Sequence, residues 1–374
     1  MLASADIHIN GGKPWDIQVL DERLYSRIIR HGSLGLGEAY VDSWWEVAAL
    51  DQFFFRILGH GLESNYSLTT KTLLEYLYAL FVNLQSKTKV YSNIQHHYDI
   101  GNDLYKAMLD KRMVYTCAYW DEVQGLDEAQ EAKLEMVCSK LGLQPGQSIL
   151  DIGCGWGSFA KYAAENYGVS VVGITISKEQ VELGMRLCSG LPVQIRLQDY
   201  RDLNEKFDHV VSLGMFEHVG YKNYKTYMET VSRSLSNNGL FLLQTIGSNV
   251  SVRNTDPWIG KYIFPNSMLP SIKQITRAIE GRFVMEDWHN FWVHYDKTLM
   301  AWFQNFDSNW NALKSNYTDR FYRMWKYYLL SCAGAFRSRK IQLWQIALNK
   351  KGLKDGFNTD RFQSSLQKTP NRKK

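Results

Sequence analysis

LDIGCGWG, residues 150–157, is the stretch of sequence that decides the fold. The strand predicted over Ser148 to Asp151 runs directly into it, and its three glycines follow a Gly-x-Gly-x-Gly spacing. Glycine lets the backbone turn tightly and approach a ligand closely. Open α/β sheets bind ligands at the carboxyl ends of their strands, so the spacing indicates a binding turn after a first parallel strand.

The sequence on both sides of this turn alternates between helix and strand patterns. Upstream, Leu134, Val137, Cys138 and Leu141 recur at i, i+3, i+4 and i+7, on one face of a helix. Apolar runs of strand length stand at residues 169–176, 193–197, 209–213 and 240–246, with FVMEDW (283–288) and IQLWQIAL (341–348) as a late pair around an aromatic helical region at 295–335. This rhythm predicts an α/β fold with a doubly wound, Rossmann-like sheet.

The organisation predicted for the chain is a small, mostly helical N-terminal domain over 1–85, a linker over 86–92 and a catalytic domain over 93–374. The polar segment QSKTK at 85–89 has no apolar period, which is typical of a linker. A glycine-rich stretch, HGSLGLGEAY at 31–40, is expected to interrupt the N-terminal helices. The expected core of this domain is Trp44, Trp45, Phe53, Phe54, Phe55, Ile57 and Leu58.

Composition excludes several classes of protein. The chain is 45% hydrophobic and 22% charged, which is sufficient to bury a core. There is no run of 18 apolar residues and no secretory signal pattern at the N-terminus. The five cysteines form no metal-spaced cluster. We therefore expect reduced thiols, a cytoplasmic location and no metal site.

The net charge of +5 conceals an asymmetry. Residues 310–374 contain fifteen Lys/Arg and three Asp/Glu, a local net of +12, and the rest of the chain sums to −7. A basic region of this kind attracts nucleic acid or an anionic membrane, and a solvated face with a loose tail explains it equally well. No zinc-finger or RNA-recognition motif supports a nucleic-acid partner.

The acid before the glycine turn bears on the choice of cofactor. A dinucleotide fold requires Gly-x-Gly-x-x-Gly, with a pyrophosphate at the helix N-terminus. Here the spacing differs, and Asp151 repels phosphate but suits a cation. S-adenosylmethionine (SAM) carries a sulfonium and an amino group and no phosphate. The pattern therefore favours SAM over NAD.

The next two predicted strands supply further candidate contacts. The strand ending GITIS, at 173–177, has no acid for ribose hydroxyls, so Thr175 and Gln180 are expected to provide the polar contacts. The following strand ends in Gln198, Asp199 and Tyr200. Asp199 either accepts a hydrogen bond from the adenine amino group or caps a turn.

Motifs across residues 90–348 resemble the bacterial cyclopropane-fatty-acyl-phospholipid synthases. The matching segments are HHYDIGNDLY (96–105), YTCAYW (115–120), LDIGCGWG (150–157), GITIS (173–177), LQDYRD (197–202), GMFEHVG (214–220), DPWIGKYIFPN (256–266), MEDWHNF (285–291) and CAGAFRSRKIQLWQ (332–345). The mycobacterial mycolic-acid cyclopropane synthases are similar but lack an N-terminal extension like residues 1–85. This favours the branch of the family that acts on phospholipids.

The resemblance implies methyl transfer from SAM to a cis double bond, followed by proton loss to a bound bicarbonate and ring closure. It implies a bicarbonate cradle of Cys117, Glu217, Tyr295 and the backbone of Ile246. The fifth cradle position is His in the family pattern LLHTIGS and is Gln244 here. Cys332 matches a cysteine suspected as the active-site residue of the family. The expected SAM contacts are Tyr115, Thr116, Asp151, Gly153, Gly155, Trp156, Gly157, Thr175, Gln180, Gln198, Asp199 and Tyr200.

The resemblance also implies a partner surface and leaves two alternatives open. It implies a homodimer that works at the inner face of a phospholipid bilayer, peripherally associated. Gln244 keeps open a related lipid C-methyltransferase that yields a branched or hydroxylated chain. An inactive, membrane-associated SAM-binding module is the other alternative.

Overall fold

The computed structural model describes residues 2–62, 83, 85 and 101–357. The helices of these residues are α1 (Arg23–Val41), α2 (Leu50–Gly59), α3 (Asn102–Met108), α4 (Leu126–Leu141), α5 (Ser158–Tyr167), α6 (Lys178–Leu187), α7 (Tyr224–Ser234), α8 (Pro257–Tyr262), α9 (Ile272–Ile279), α10 (Val293–Ser308), α11 (Trp310–Leu313) and α12 (Asp319–Arg337). The strands are β1 (Gln18–Val19), β2 (Trp45–Glu46), β3 (Ser148–Ile152), β4 (Ser170–Thr175), β5 (Val193–Leu197), β6 (His209–Leu213), β7 (Leu240–Ser248), β8 (Val284–Asn290) and β9 (Ile341–Asn349).

The chain divides into two compact units, each built from several segments. One unit comprises Met1–Leu109, Gly247–Leu269 and Phe291–Gln342, and the other comprises Asp110–Ile246, Pro270–Asn290 and Leu343–Lys374. The predicted linker at 86–92 lies outside the described residues, so the predicted domain boundary stays a prediction.

A seven-stranded sheet in the order β5-β4-β3-β6-β7-β9-β8 carries the α/β fold. The pairs β3–β4, β4–β5, β3–β6 and β6–β7 are parallel, and β8–β9 is antiparallel. The predicted doubly wound sheet with a late pair of strands is confirmed. The chain runs outward from β3 to β5 and returns to β6 on the other side of β3. The carboxyl ends of β3 and β6 therefore flank the switch point where such sheets bind ligands.

Helices α1, α2, α10 and α12 belong to the first unit. Trp45, Phe53 and Phe54 are buried as expected, whereas Trp44, Phe55, Ile57 and Leu58 are only half-buried. Trp44 lies beneath the guanidinium groups of two arginines. The predicted interruption over 31–40 is wrong in extent, because α1 continues through it and departs from helical geometry only at Gly32, with φ 54° and ψ −130°. At Gly37 an added Cβ would lie 2.3 Å from the Trp258 ring, so close packing requires the glycine.

Ion pairs within this unit account for part of the charge asymmetry. Arg320 pairs with Asp42, and Arg323 pairs with Glu46 at 2.5 Å. Arg337 pairs with both Asp51 (2.5 Å) and Asp296 (2.8 Å). Helix α12 thus neutralises acids of the N-terminal segment. None of the helices that the structure describes is long and apolar enough to cross a membrane.

Candidate active site

The glycine turn at the end of β3 adopts left-handed backbone geometry. Gly153 has φ 82°, and its N–H donates to the carbonyl of Ile174 at 2.9 Å, which ties the turn to β4. An added Cβ at Gly153 would lie 2.6 Å from Cβ of Met215, just beyond β6. The turn therefore lies at the switch point of the sheet, where only glycine satisfies both the backbone angle and the close approach.

Asp151, the last but one residue of β3, is a buried acid beside this turn. Burial raises the pKa of Asp151 to about 7, and the charge of Lys133 opposes the rise. Lys133 of α4 is itself fully buried, and burial lowers its pKa to about 8. The pair places a carboxylate with only partial charge compensation at the ligand edge of the sheet. Such a group favours a cationic ligand.

The ends of β4 and β5 carry the other polar groups. The Thr175 hydroxyl donates to Oε1 of Gln180 at 2.6 Å, and both side chains are buried. Asp199 accepts from Nε and Nη2 of Arg201 at 2.8 and 2.9 Å, and also from the Arg201 backbone N–H. The turn-capping alternative for Asp199 is therefore observed, and its contact with adenine stays a prediction. The N–H of Gln198 donates to the carbonyl of Thr175 and holds the two strand ends together.

Glu217 follows β6 and presents one satisfied and one unsatisfied oxygen. Its Oε1 accepts from the backbone N–H of Ile246 at 2.6 Å. Its Oε2 is buried and has no hydrogen-bond partner among the described residues. Burial raises the pKa of Glu217 to about 7. The buried hydroxyl of Tyr224 on α7 likewise has no partner there, and the Glu217 charge adds to the rise that burial causes in the pKa of Tyr224.

Gln244 of β7 lies opposite Gln345 of β9 inside the sheet layer. The Gln345 amide NH₂ donates to Oε1 of Gln244 at 2.9 Å, and neither side chain is more than 1% exposed. Because this bond occupies the carbonyl end of Gln244, the NH₂ end is the donor that Gln244 offers to a ligand.

The YTCAYW segment brings three predicted residues next to α4. Gln130 of α4 donates to the carbonyls of Val114 and Thr116 at 3.3 and 2.8 Å, and Lys133 donates to the Thr116 hydroxyl at 3.0 Å. Cys117 is buried and Tyr115 is half-buried. Of the turn residues, Trp156 is buried, and Gly155 and Gly157 share the left-handed backbone of Gly153.

Tyr295 and Cys332 belong to the first unit. Tyr295 on α10 stacks on Phe336 with ring centroids 4.5 Å apart. Cys332 lies on α12, and burial raises its pKa to about 12. A thiol with that pKa stays protonated near neutral pH, which disfavours Cys332 as a thiolate nucleophile.

The geometry at the strand ends fits SAM. A buried carboxylate lies beside a glycine turn with left-handed backbone geometry, and polar groups follow at the next two strand ends. Among the described residues, no group of three His, Cys, Asp or Glu side chains is arranged to hold a metal ion.

The family model of the mycolic acid cyclopropane synthetases matches residues 85–346. The chain belongs to this family. It is 53% identical over 361 residues to the cyclopropane-fatty-acyl-phospholipid synthase of Escherichia coli K12. The alignment covers 96% of this chain and 94% of that protein. It is 31% identical over 306 residues to sphingolipid C9-methyltransferase A of Emericella nidulans, covering 77% of this chain and 59% of that protein.

Solved structures agree with this membership. The mycolic acid cyclopropane synthase CmaA1, complexed with S-adenosylhomocysteine and CTAB, aligns with a TM-score of 0.65 and 32% identity. The alignment covers 70% of this chain and 98% of that one. This member of the mycolic acid cyclopropane synthetase family is therefore a SAM-dependent methyltransferase, and the predicted co-substrate SAM is confirmed, whereas bicarbonate stays a prediction.

Sequence reasoning missed Lys133, Tyr224 and Gln345. The sequence predicts one apolar face for α4, whereas the structure buries the helix on almost every side. The burial of Lys133, which is outside that apolar set, could therefore not be predicted. Gln345 acquires meaning only once β9 is known to lie beside β7. For Tyr224 the position seven residues after Glu217 is a usable signal, because the short connection after β6 starts the next helix at the same edge of the sheet.

We predict that Gly153→Ala weakens SAM binding at least about tenfold, because the new Cβ collides with Met215 and moves the turn. Gly146→Ala is the matched control. Gly146 also has positive φ, 85°, but no atom lies within 4 Å of the added Cβ. Titration calorimetry with SAM measures both. Equal affinities in the two variants would contradict the assignment of the turn at Gly153 as a SAM contact.

Proposed function

We propose that this chain is a cyclopropane-fatty-acyl-phospholipid synthase, which acts on cis double bonds of unsaturated phospholipid acyl chains. The observation that carries the proposal is the 53% identity to the E. coli enzyme over 96% of the chain. The family model matches only residues 85–346, and the CmaA1 structure covers 70% of the chain. Similarity to the phospholipid enzyme thus extends well beyond the part shared with mycolic acid enzymes.

The chemistry asks the protein to stabilise a cation and to remove one proton. An alkene is a weak, neutral nucleophile, and SAM supplies an electrophilic methyl group when it is bound. Methyl transfer leaves a carbocation on the acyl chain, which water would trap as an alcohol unless the site excludes it. A base must then remove a proton from the added methyl group so that the freed C–H electron pair closes the ring, and bicarbonate, when bound, would supply that base.

The buried polar groups of the second unit support a bicarbonate cradle. Oε1 of Glu217 is fixed by the Ile246 N–H, which leaves Oε2 to accept a hydrogen bond from the bicarbonate hydroxyl. The carbonyl oxygen of Gln244 accepts from Gln345, so the NH₂ group of Gln244 would be the donor to a bicarbonate oxygen. Cys117 of the same unit completes the cradle by family resemblance, and the contact of Tyr295 that the resemblance implies stays a prediction. Gln244 positions the anion but cannot carry a proton as histidine does.

The test of the function is incubation of labelled SAM with liposomes of unsaturated phospholipid, followed by mass spectrometry of the acyl chains. We predict a mass increase of one CH₂ with loss of the double bond. A retained double bond with one added CH₂, or a gain of CH₂ plus water, would instead assign the chain to a lipid C-methyltransferase. Absence of any labelled lipid, with SAM still bound, would indicate an inactive module.

We predict that Gln244→Leu lowers turnover about ten- to hundredfold, since a hydrogen bond to a charged group contributes about 1.5–3 kcal/mol. Gln244→His keeps or raises turnover because imidazole also offers an N–H donor and can in addition carry a proton. Glu217→Gln costs at least as much as Gln244→Leu, because it removes the charge that orients the cradle. Gln342→Leu, at another buried glutamine of β9, is the control. Native turnover in Gln244→Leu would remove Gln244 from the cradle.

We also propose peripheral association with the anionic inner face of a phospholipid membrane. Lys314, Arg339, Lys351 and Lys354 of the basic region are exposed, which supports attraction to such a surface. Because Arg320, Arg323 and Arg337 are paired within the protein, fewer than the fifteen basic residues act outward. An apolar contribution is available from Leu20, between β1 and α1, and from Ile29 of α1, which are 64% and 76% exposed.

We predict that sedimentation with anionic liposomes weakens as salt rises, since each exposed basic residue contributes about 1 kcal/mol that salt screens. Neutral liposomes are the control. Binding that ignores salt and is lost in Ile29→Ser would contradict the electrostatic proposal and indicate insertion of α1.

A homodimer in the cytoplasm completes the proposal and rests on the family resemblance. In such a dimer one protomer holds the membrane while the other turns over. Sedimentation equilibrium of the full chain measures the mass, and a monomer at all working concentrations would contradict this part alone.

A further inference from the structure

Helix α4 buries two polar side chains one turn apart, and both point at the same segment. Gln130 and Lys133 are each 0% exposed. A buried ammonium group loses its hydration, so a fully buried lysine is rare unless it is paired. The methyl-transfer chemistry described above does not use this lysine.

The contacts of Lys133 reach in two directions. Its Nζ donates to the Thr116 hydroxyl at 3.0 Å, within the YTCAYW segment that supplies candidate SAM and bicarbonate contacts. The acids that face its charge are Asp110, ahead of that segment, and Asp151, before the glycine turn. Asp110 in turn accepts from the N–H groups of Arg112 and Val114 at 2.9 and 2.8 Å.

We propose that Lys133 is the positioning residue for SAM, tying the Tyr115–Cys117 segment to the glycine turn through one hydrogen bond to Thr116 and one buried charge beside Asp151. Gln130 supports the same segment through its two backbone carbonyls. Lys133 acts through Thr116 and Asp151 and does not touch the transferred methyl group. The proposal depends on SAM binding alone and is independent of the lipid substrate.

Electrostatics around Asp151 gives the proposal a signature in pH. The groups that face Asp151 are Lys133 from α4, Tyr227 from α7, and the thiols of Cys154 and Cys188. Burial raises the pKa of the tyrosine and of both thiols, so they are neutral near pH 7. Lys133 is the cation that lowers the pKa of Asp151. Without it, the carboxyl group is protonated over more of the neutral range and holds a cationic ligand less well.

The sign of the pH effect follows from the two pKa values. As pH rises, Asp151 of a Lys133→Met protein regains its charge, while Lys133 of the native protein loses its charge above its pKa of about 8. Both changes reduce the difference in SAM affinity between the native protein and the variant. Titration of the ligand's own amino group cancels in the ratio of the two affinities.

The experiment is titration calorimetry of SAM with the native chain and Lys133→Met at about pH 6.5, 7.5 and 8.5, spanning both pKa values. We expect the variant to bind about tenfold more weakly at the lowest pH, with the ratio falling to about threefold or less at the highest. Lys140→Met is the matched control. Lys140 is a second buried lysine of α4, but it pairs with Asp287 and His289 of β8.

A ratio that stays constant with pH would overturn the electrostatic part, because a merely structural loss does not follow the charge of Asp151. Equal weakening in Lys140→Met would show a general effect of losing a buried lysine from α4 and would also overturn the proposal. If Lys133→Met does not fold, Thr116→Val breaks the same contact from the other side. Native SAM affinity in Thr116→Val would then refute the link to the segment.

Discussion

Burial of carboxyl groups at the ends of adjacent strands is the constraint on which the site depends. Asp151 lies near the carboxyl end of β3, and Glu217 follows the carboxyl end of β6. Burial raises the pKa of each carboxyl group to about 7. A buried ionised carboxylate costs several kcal/mol unless it is compensated. Lys133 compensates Asp151 in part, and one N–H compensates Glu217 in part. The packing of α4 places Lys133 beside Asp151, and β7 places the Ile246 N–H against Glu217. Each carboxyl group is therefore compensated only in part.

The parts of the fold that the sequence predicts are those with a local cause. The strands of the seven-stranded sheet begin and end within about two residues of their apolar runs, because a buried strand requires a run of apolar side chains. The ten-residue interruption expected in α1 shrank to Gly32, because the fold uses Gly37 to admit the Trp258 ring and not to break the helix. That role depends on a residue more than 200 positions away, which no local pattern contains.

The site residues also differ in whether their position has a local cause or a tertiary one. The glycine turn, Asp151, Thr175 and Glu217 stand beside strand ends that the sequence already indicates. Lys133 and Gln345 become visible only through tertiary neighbours, and the charge asymmetry was ambiguous for the same reason. The net charge of +12 over residues 310–374 describes composition only. The ion pairs of Arg320, Arg323 and Arg337 show that three of its fifteen basic residues are used within the protein. Composition therefore overstates the charge that this region offers to a partner.

The cysteines of the chain lead to a consequence for redox chemistry. Burial raises the pKa of Cys138, Cys154, Cys188 and Cys332, so none of these four offers a thiolate at neutral pH. Oxidants and alkylating reagents attack the thiolate, and the buried thiols of Cys138, Cys154 and Cys188 become reactive only when the surrounding structure opens. The rate at which these thiols are labelled therefore measures how often the structure around them unfolds locally. Loss of activity after such labelling would report the collapse of a packed helix or turn, and would not identify a nucleophile.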